Sequence, residues 1–295
     1  AFVSPSANAS MIFSVLLYIY LSLYTGHEDE NPPVDLTENK DINEYYQGAT
    51  LDYIFSLDYT PVPMYTLPLE CKGFYDDDMV KENKSVASCT LNIPVKDFIE
   101  FCKKNGANPS SMMCSLLAKA SYSLNPDVND DIVFDLTVSM RKVLGLGKTI
   151  ANCIGLAAAY TTHDDIMNKS IAEVSQKIRH DIDIQRTWDY YISFRRLFNT
   201  YQHKPTYKSK TVTYMGALNI GDNNHHIKEL ELGTNSIHNL YMMQLNDKFA
   251  IILQYGKATE KYMNEFIKIF SDYGIKAEIK QPAHLLMNDS KIPVL

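Results

Sequence analysis

The sequence predicts an α/β protein, a mixed sheet flanked by helices. Two observations carry that expectation: from Ala87 onward short apolar runs of strand length alternate with segments of helical period, and the alternation has no fixed repeat length, which excludes a solenoid. Glycines and prolines fall between the segments, where chain breaks are needed.

The elements follow in order. Ser10 is placed to cap a first helix through the apolar run Met11–Tyr24, and TGHEDENPP closes it with a glycine, a charge cluster and two prolines. The run is 14 residues long, short of the roughly 18 to 20 that cross a bilayer, so it reads as a buried helix. Residues 26–48 read as a polar loop. Pro61, Pro63, Pro68 and the acidic run Asp76–Asp78 mark a linker. CTLNIP then reads as a strand. VKDFIEFCKKNG spaces Val95, Phe98, Ile99 and Cys102 as a helix face and ends on Gly106 as a C-terminal cap. A helix over Pro109–Leu124 has Asn108 as its cap and proline in its first turn.

Asp131–Met140 and Asn152–Thr161 read as buried strands. Ser170–Arg186 reads as an amphipathic helix, and Trp188–Tyr201 as an aromatic-rich one. TVTYMGALNIG is a strand, and NLYMMQLNDKFAIILQYG is a hairpin turning at Asn246 and Asp247, residues that tolerate positive φ. Tyr262, Phe266, Ile269 and Phe270 then share one face of a last helix, which stops at Gly274 and covers the sheet.

Composition narrows the function classes. With 45% hydrophobic and 21% charged residues, 295 residues suffice for one large core or two lobes. A net charge of -7 with 28 Lys and Arg lacks the positive field that neutralises phosphates, so nucleic acid is excluded as an expected partner. Five cysteines with no CxxC pair fit reduced, partly buried thiols. No Lys or Arg precedes the apolar run, which disfavours a signal peptide. A cytoplasmic protein without a membrane partner is expected.

Four motifs invite chemistry that their context opposes. GLGKT, Gly145–Thr149, has Lys142 where a phosphate loop needs glycine, and a strand-like segment follows where a helix is needed. Cys153 has apolar neighbours and no nearby histidine, so it reads as a strand thiol. His225 and His226 follow GDNN and read as an exposed turn. His163–Asp165 offers three ligand types, but adjacent side chains seldom converge on one ion; it reads as the approach to a helix, and no metal site is expected.

Several segments in order resemble the later part of the chloramphenicol acetyltransferase-like superfamily, which includes condensation domains and coenzyme A-dependent alcohol acyltransferases. They are MIFSVLLYIYLSLY, similar to the helix after the family's HHxxxDG motif; CTLNIPVKDFIEFCKKNGANPSSMMCSLLAKA; VSMRKVLGLGKTIANCIG, similar to its strand, arginine, strand and Asn-containing segment; and KPTYKSKTVTYMGALNIG with the last hairpin and helix. The resemblance implies two lobes facing each other across a channel, of which this chain holds mainly the second. Residues 1–58 would be a remnant of the first lobe, 59–86 the linker and 87–295 the second acyltransferase-like lobe, with most of the first lobe absent.

The resemblance further implies transfer of an acyl group from a coenzyme A or carrier thioester to a small alcohol or amine. Coenzyme A thioester would be a co-substrate, with no bound cofactor; the oligomeric state stays open. In the family the second histidine of HHxxxDG is credited as general base, a role suited to a group with pKa about 6.5. Counting back from Phe13, Phe2 stands at that histidine and Ser6 at the motif's aspartate, and neither supplies the missing chemistry. The alternative is therefore a catalytically inactive binding or scaffold member. Arg141 corresponds to the arginine that ties to the motif's aspartate; its other reading is a solvated hairpin arginine. Asn152 either satisfies local backbone groups or touches the channel. Tyr214 shares a strand face with Val212 and Gly216, opposite Thr211, Thr213 and Met215, and reads either as core packing or as channel lining.

Overall fold

The computed structural model describes residues 7–29, 58–68, 71–74, 89–140, 142–144, 154–201, 207–218, 220–227 and 239–280, without the side chains of 7–15 and 197–201. In chain order the elements are α1 (Ala7–Thr25), β1 (Cys89–Pro94), α2 (Val95–Lys104), α3 (Pro109–Leu124), β2 (Ile132–Ser139), β3 (Ile154–Thr161), α4 (His163–Asn168), α5 (Ile171–Gln185), α6 (Trp188–Tyr201), β4 (Ser209–Ala217), β5 (Asn239–Leu245), β6 (Lys248–Gln254), α7 (Thr259–Asp272) and β7 (Glu278–Lys280). The strands form one mixed sheet in the order β3-β2-β4-β5-β6-β1-β7. β2, β4 and β5 run parallel to their neighbours in that trio, and every other pair is antiparallel.

Period-two alternation assigns the faces. Leu91, Ile251, Met242, Val212, Leu136 and Ala157 line one face, and α2, α3, α5 and α7 pack into the same core. α3 is central. Its capping box, Ser111 N–H to Asn108 Oδ1 at 2.8 Å and Asn108 N–H to Ser111 Oγ at 3.2 Å, starts it as the residue types require. Ser115 and Ser121 lie buried within it because each hydroxyl donates to the carbonyl four residues back. β5 and β6 are buried along nearly their whole length, as strands covered on both faces are. Their turn is the two-residue Asn246–Asp247, with Asn246 at φ 53°.

α5 lies beside the edge strand β3, and its side chains take the place of a further strand. Gln185 is buried; Ala158 N–H donates to Gln185 Oε1 at 2.9 Å, and Gln185 Nε2 donates back to Ala158 O at 2.6 Å. Lys177 Nζ donates to Tyr160 O at 2.7 Å. The edge is thereby closed to strand addition.

Two expectations change. Ser10 lies inside α1, which begins at Ala7, so it is not the cap. Nor is α1 buried on all sides. Tyr18 and Leu21 pack with Leu218, Ile220 and Leu245, while Leu16, Tyr20, Leu23 and Tyr24 are exposed. A helix apolar all round gives no periodic signal for which face is covered. The strand β7 was not foreseen; at three residues it is too short to show alternation.

The prolines at 61, 63 and 68 lie in a stretch without regular structure that is nonetheless held by α6. Thr60 N–H donates to Asp189 Oδ1 at 2.7 Å, Val62 N–H to Ser193 Oγ at 3.3 Å, Tyr65 N–H to Tyr190 OH at 3.4 Å, and Trp188 Nε1 to Asp58 O at 3.1 Å.

Candidate functional site

The carboxyl ends of β2 and β4, parallel and adjacent, meet the amino end of β3 at one end of the sheet: Ser139 pairs with Ile154 and Thr137 with Thr213. Here β4 breaks register. Tyr214 faces Met242 but Ala217 faces Gln244, so one extra residue bulges out, and Gly216 takes φ +85°, a conformation that costs glycine little. Bulges re-aim strands beside sites. Beyond this one, β4 turns to meet α1.

Tyr214 lies on the helix-covered face, half-buried, its ring 5.7 Å from that of Phe249 and nearly parallel to it. Burial, with Cys102 nearby, pushes its phenol up, so the group is a neutral hydroxyl. On the opposite face Thr137 Oγ1 donates to Thr213 Oγ1 at 3.1 Å. Deeper on that face Asp135 accepts from the hydroxyls of Tyr207, at 3.3 Å, and Ser209. Burial raises the pKa of Asp135, and these two hydrogen bonds only partly offset it. Phe2, Ser6, Arg141 and Asn152 lie outside the described residues, as do Gly145–Thr149 and Cys153; Met140, beside Arg141, is buried against Tyr191 and Ile192.

A second cluster occupies the junction of α1 with the 3₁₀ turn Gly221–His226 that follows β4. Tyr18 OH accepts from Asp29 N–H at 3.1 Å, and Ser22 Oγ from Asn223 Nδ2 at 3.2 Å. Asp29 Oδ1 accepts from Asp222 N–H at 3.3 Å. His27 Nε2 stands 3.5 Å from Asp29 Oδ1 and 3.6 Å from Asp222 Oδ2. Asp29 is largely enclosed, whereas His27 is half exposed and Asp222 open to solvent. Gly221, at φ +64°, lets the turn press against the Asp29 carboxylate; a Cβ there would overlap Oδ2. An imidazole between two carboxylates is an arrangement for holding a proton or a cation.

Sequence reasoning missed this cluster because Asp29 and Asp222 are 193 residues apart, and neither loop carries a ligand pattern by itself. The other motifs settle locally. His163–Asp165 begins α4, with Thr162 as cap and Asp165 closing the capping box, and Asp165 also binds Lys169 and Lys177. His225 and His226 are exposed in the 3₁₀ turn, their rings 3.9 Å apart.

No protein-family model and no curated protein matches the sequence. Solved structures do. The TRI101 protein of F. graminearum, crystallised with coenzyme A and deoxynivalenol, superposes with a TM-score of 0.56 over 92% of this chain and 64% of its own, at 13% identity. The F. sporotrichioides TRI101 structure with coenzyme A and T-2 gives 0.55 over 92% and 64%, at 12% identity. Polyketide synthase associated protein 5 from Mycobacterium tuberculosis gives 0.51 over 91% and 71%, also at 12% identity. The chain has the chloramphenicol acetyltransferase-like fold. It spans under two thirds of the length of the TRI101 structures it matches. Within that fold, the strands form a seven-stranded mixed sheet flanked by helices. Among the described residues no helix is long and apolar enough to cross a membrane.

Proposed function

We propose that the protein takes part in acyl transfer from a coenzyme A or carrier-protein thioester to a small alcohol or amine. The observation that supports this best is the fold correspondence over 92% of the chain to a protein crystallised with coenzyme A and deoxynivalenol. In such a reaction the acceptor's oxygen or nitrogen attacks the thioester carbonyl, the C–S bond breaks, and the thiol leaves with a proton. The protein contributes mainly positioning. In this reading Arg141 is a charged tie across the channel, Asn152 and Tyr214 are channel residues, and residues 87–295 form the second lobe, joined through 59–86 to a first-lobe segment at 1–58. Coenzyme A thioester is a co-substrate, not a resident cofactor. Buried thiols at Cys71, Cys89, Cys102 and Cys114, with Cys102 pushed up to about 12 by its burial, suit a reducing, cytoplasmic setting.

The test is thiol release from short acyl-coenzyme A thioesters with alcohol and amine acceptors. Acceptor-dependent release, reduced in Arg141→Ala at unchanged melting temperature, is the expected result; no release with any acceptor overturns the reading. A second reading, ligand binding without turnover, is favoured by Phe2 and Ser6 at the motif positions, since neither side chain replaces the histidine or the aspartate. Calorimetric binding of coenzyme A by a chain that releases no thiol distinguishes it.

A further inference from the structure

Among the described residues, the junction between α1 and the 3₁₀ turn has more acceptors than donors. Among those residues Asp29 Oδ2 is buried without a hydrogen-bond partner, and so is Oδ1 of the fully buried Asn223. The carboxylates of Asp29 and Asp222 share a single imidazole, His27, as their ion-pair partner among the described residues. Two carboxylates set against one ring leave an excess of negative charge in a partly enclosed place. Such an excess is costly unless a cation balances it.

The spacing admits a divalent cation. His27 Nε2, Asp29 Oδ1 and Asp222 Oδ2 all lie within 4.8 Å of one another, with the two nitrogen-to-oxygen edges at 3.5 and 3.6 Å. Zinc bonded to nitrogen and oxygen at about 2.0–2.2 Å places neighbouring tetrahedral ligands ~3.4 Å apart. The donor set, one imidazole and two carboxylates, also suits zinc better than the all-oxygen shells of calcium and magnesium.

We propose that His27, Asp29 and Asp222 form a zinc site, with the fourth position open to water or a ligand. Zinc there joins the end of α1 to the turn after β4. It closes a loop of 193 residues between Asp29 and Asp222, so metal binding adds to the stability of the α1 junction.

Apo protein is dialysed against Zn²⁺, and bound zinc is counted per chain, with the melting temperature measured beside Mg²⁺ and Ca²⁺. One zinc per chain is expected, with a rise of about 5 °C at saturating zinc and a smaller response to the other two ions. His27→Ala and Asp222→Asn, both on accessible side chains and both checked for native circular dichroism, should lose the bound zinc and the shift. His225→Ala, which removes a neighbouring surface imidazole, should retain both. Absence of zinc from the wild-type chain overturns the proposal, as does equal binding and an equal shift in Asp222→Asn, or loss of zinc in His225→Ala alone. None of these outcomes depends on acyl transfer, so the zinc site and the acyltransfer reading stand or fall separately.

Discussion

The two faces of the sheet around β2 and β4 are built by opposite means. The face under α3, α5 and α7 is apolar, with Phe134, Leu136, Val212 and Leu240 packed against Phe266, Phe270 and Met112 in one core. On the reverse, the same two strands present Asp135, Thr137 and Thr213, joined by hydrogen bonds to residues 72–76 positions away. Apolar contacts are non-directional and tolerate repacking, whereas a buried polar group must find its particular partner or lose its hydration without return. The helix-covered face therefore supplies most of the stability, and the polar face fixes how neighbouring chain segments meet.

The largest expected effect breaks the apolar side. Phe134→Ala, at a fully buried position, should cost about 3–5 kcal/mol in chemical denaturation, through lost burial and the cavity left behind. If the polar reverse face instead carried the stability, the loss would be small.

Next comes the guarded edge. Gln185→Ala leaves Ala158 N–H and C=O without their partner and should cost about 2 kcal/mol, with a greater tendency to self-associate through β3 in sedimentation. A fully stable, monomeric variant would show that water substitutes for the amide.

Asp165→Ala should cost about 1–2 kcal/mol through the lost carboxylate acceptor of Thr162 N–H in the capping box and the lost ion pairs. Burial raises the pKa of Asp165, but the Lys169 hydrogen bond, the Thr162 backbone and Lys177 outweigh it and leave it below the usual carboxylate range. Its contribution is thus complete above that range and lost as the pH falls through the folded-state value. The gap between wild type and variant should narrow in acid and stay constant around neutrality.

Asp135→Asn has the smallest effect and the opposite pH sign. Because burial raises the Asp135 pKa, wild type loses stability as the pH rises from the ordinary carboxylate range to the folded-state value. The variant, which has no such titration, should gain on wild type across that interval. Denaturation midpoints at several pH values measure it; a variant that loses ground on wild type as the pH rises contradicts the assignment.

Much of the fold was legible because its signals are local. Asn108 and Pro109 begin α3, Ser170 begins α5, and Asn246–Asp247 turns the hairpin, each through bonds spanning a few residues. The covered side of α1 was not legible, since apolar residues surround that helix and only Leu218, Ile220 and Leu245 choose a face for it. Of the residues proposed for the site, Tyr214 could be assigned to a strand from sequence, but not to a side of the sheet; Phe249 decides that by stacking on it.

By itself the sequence determined the alternation of helices and strands, the caps and turns, and which residues of each strand share a face, because these rest on propensities and periods that act within one segment. The tertiary structure decided the strand order, the guard that Gln185 places on β3, and the meeting of His27 and Asp29 with Asp222. Those depend on contacts between residues far apart in the chain, and no local period encodes which distant segment will fill a given face.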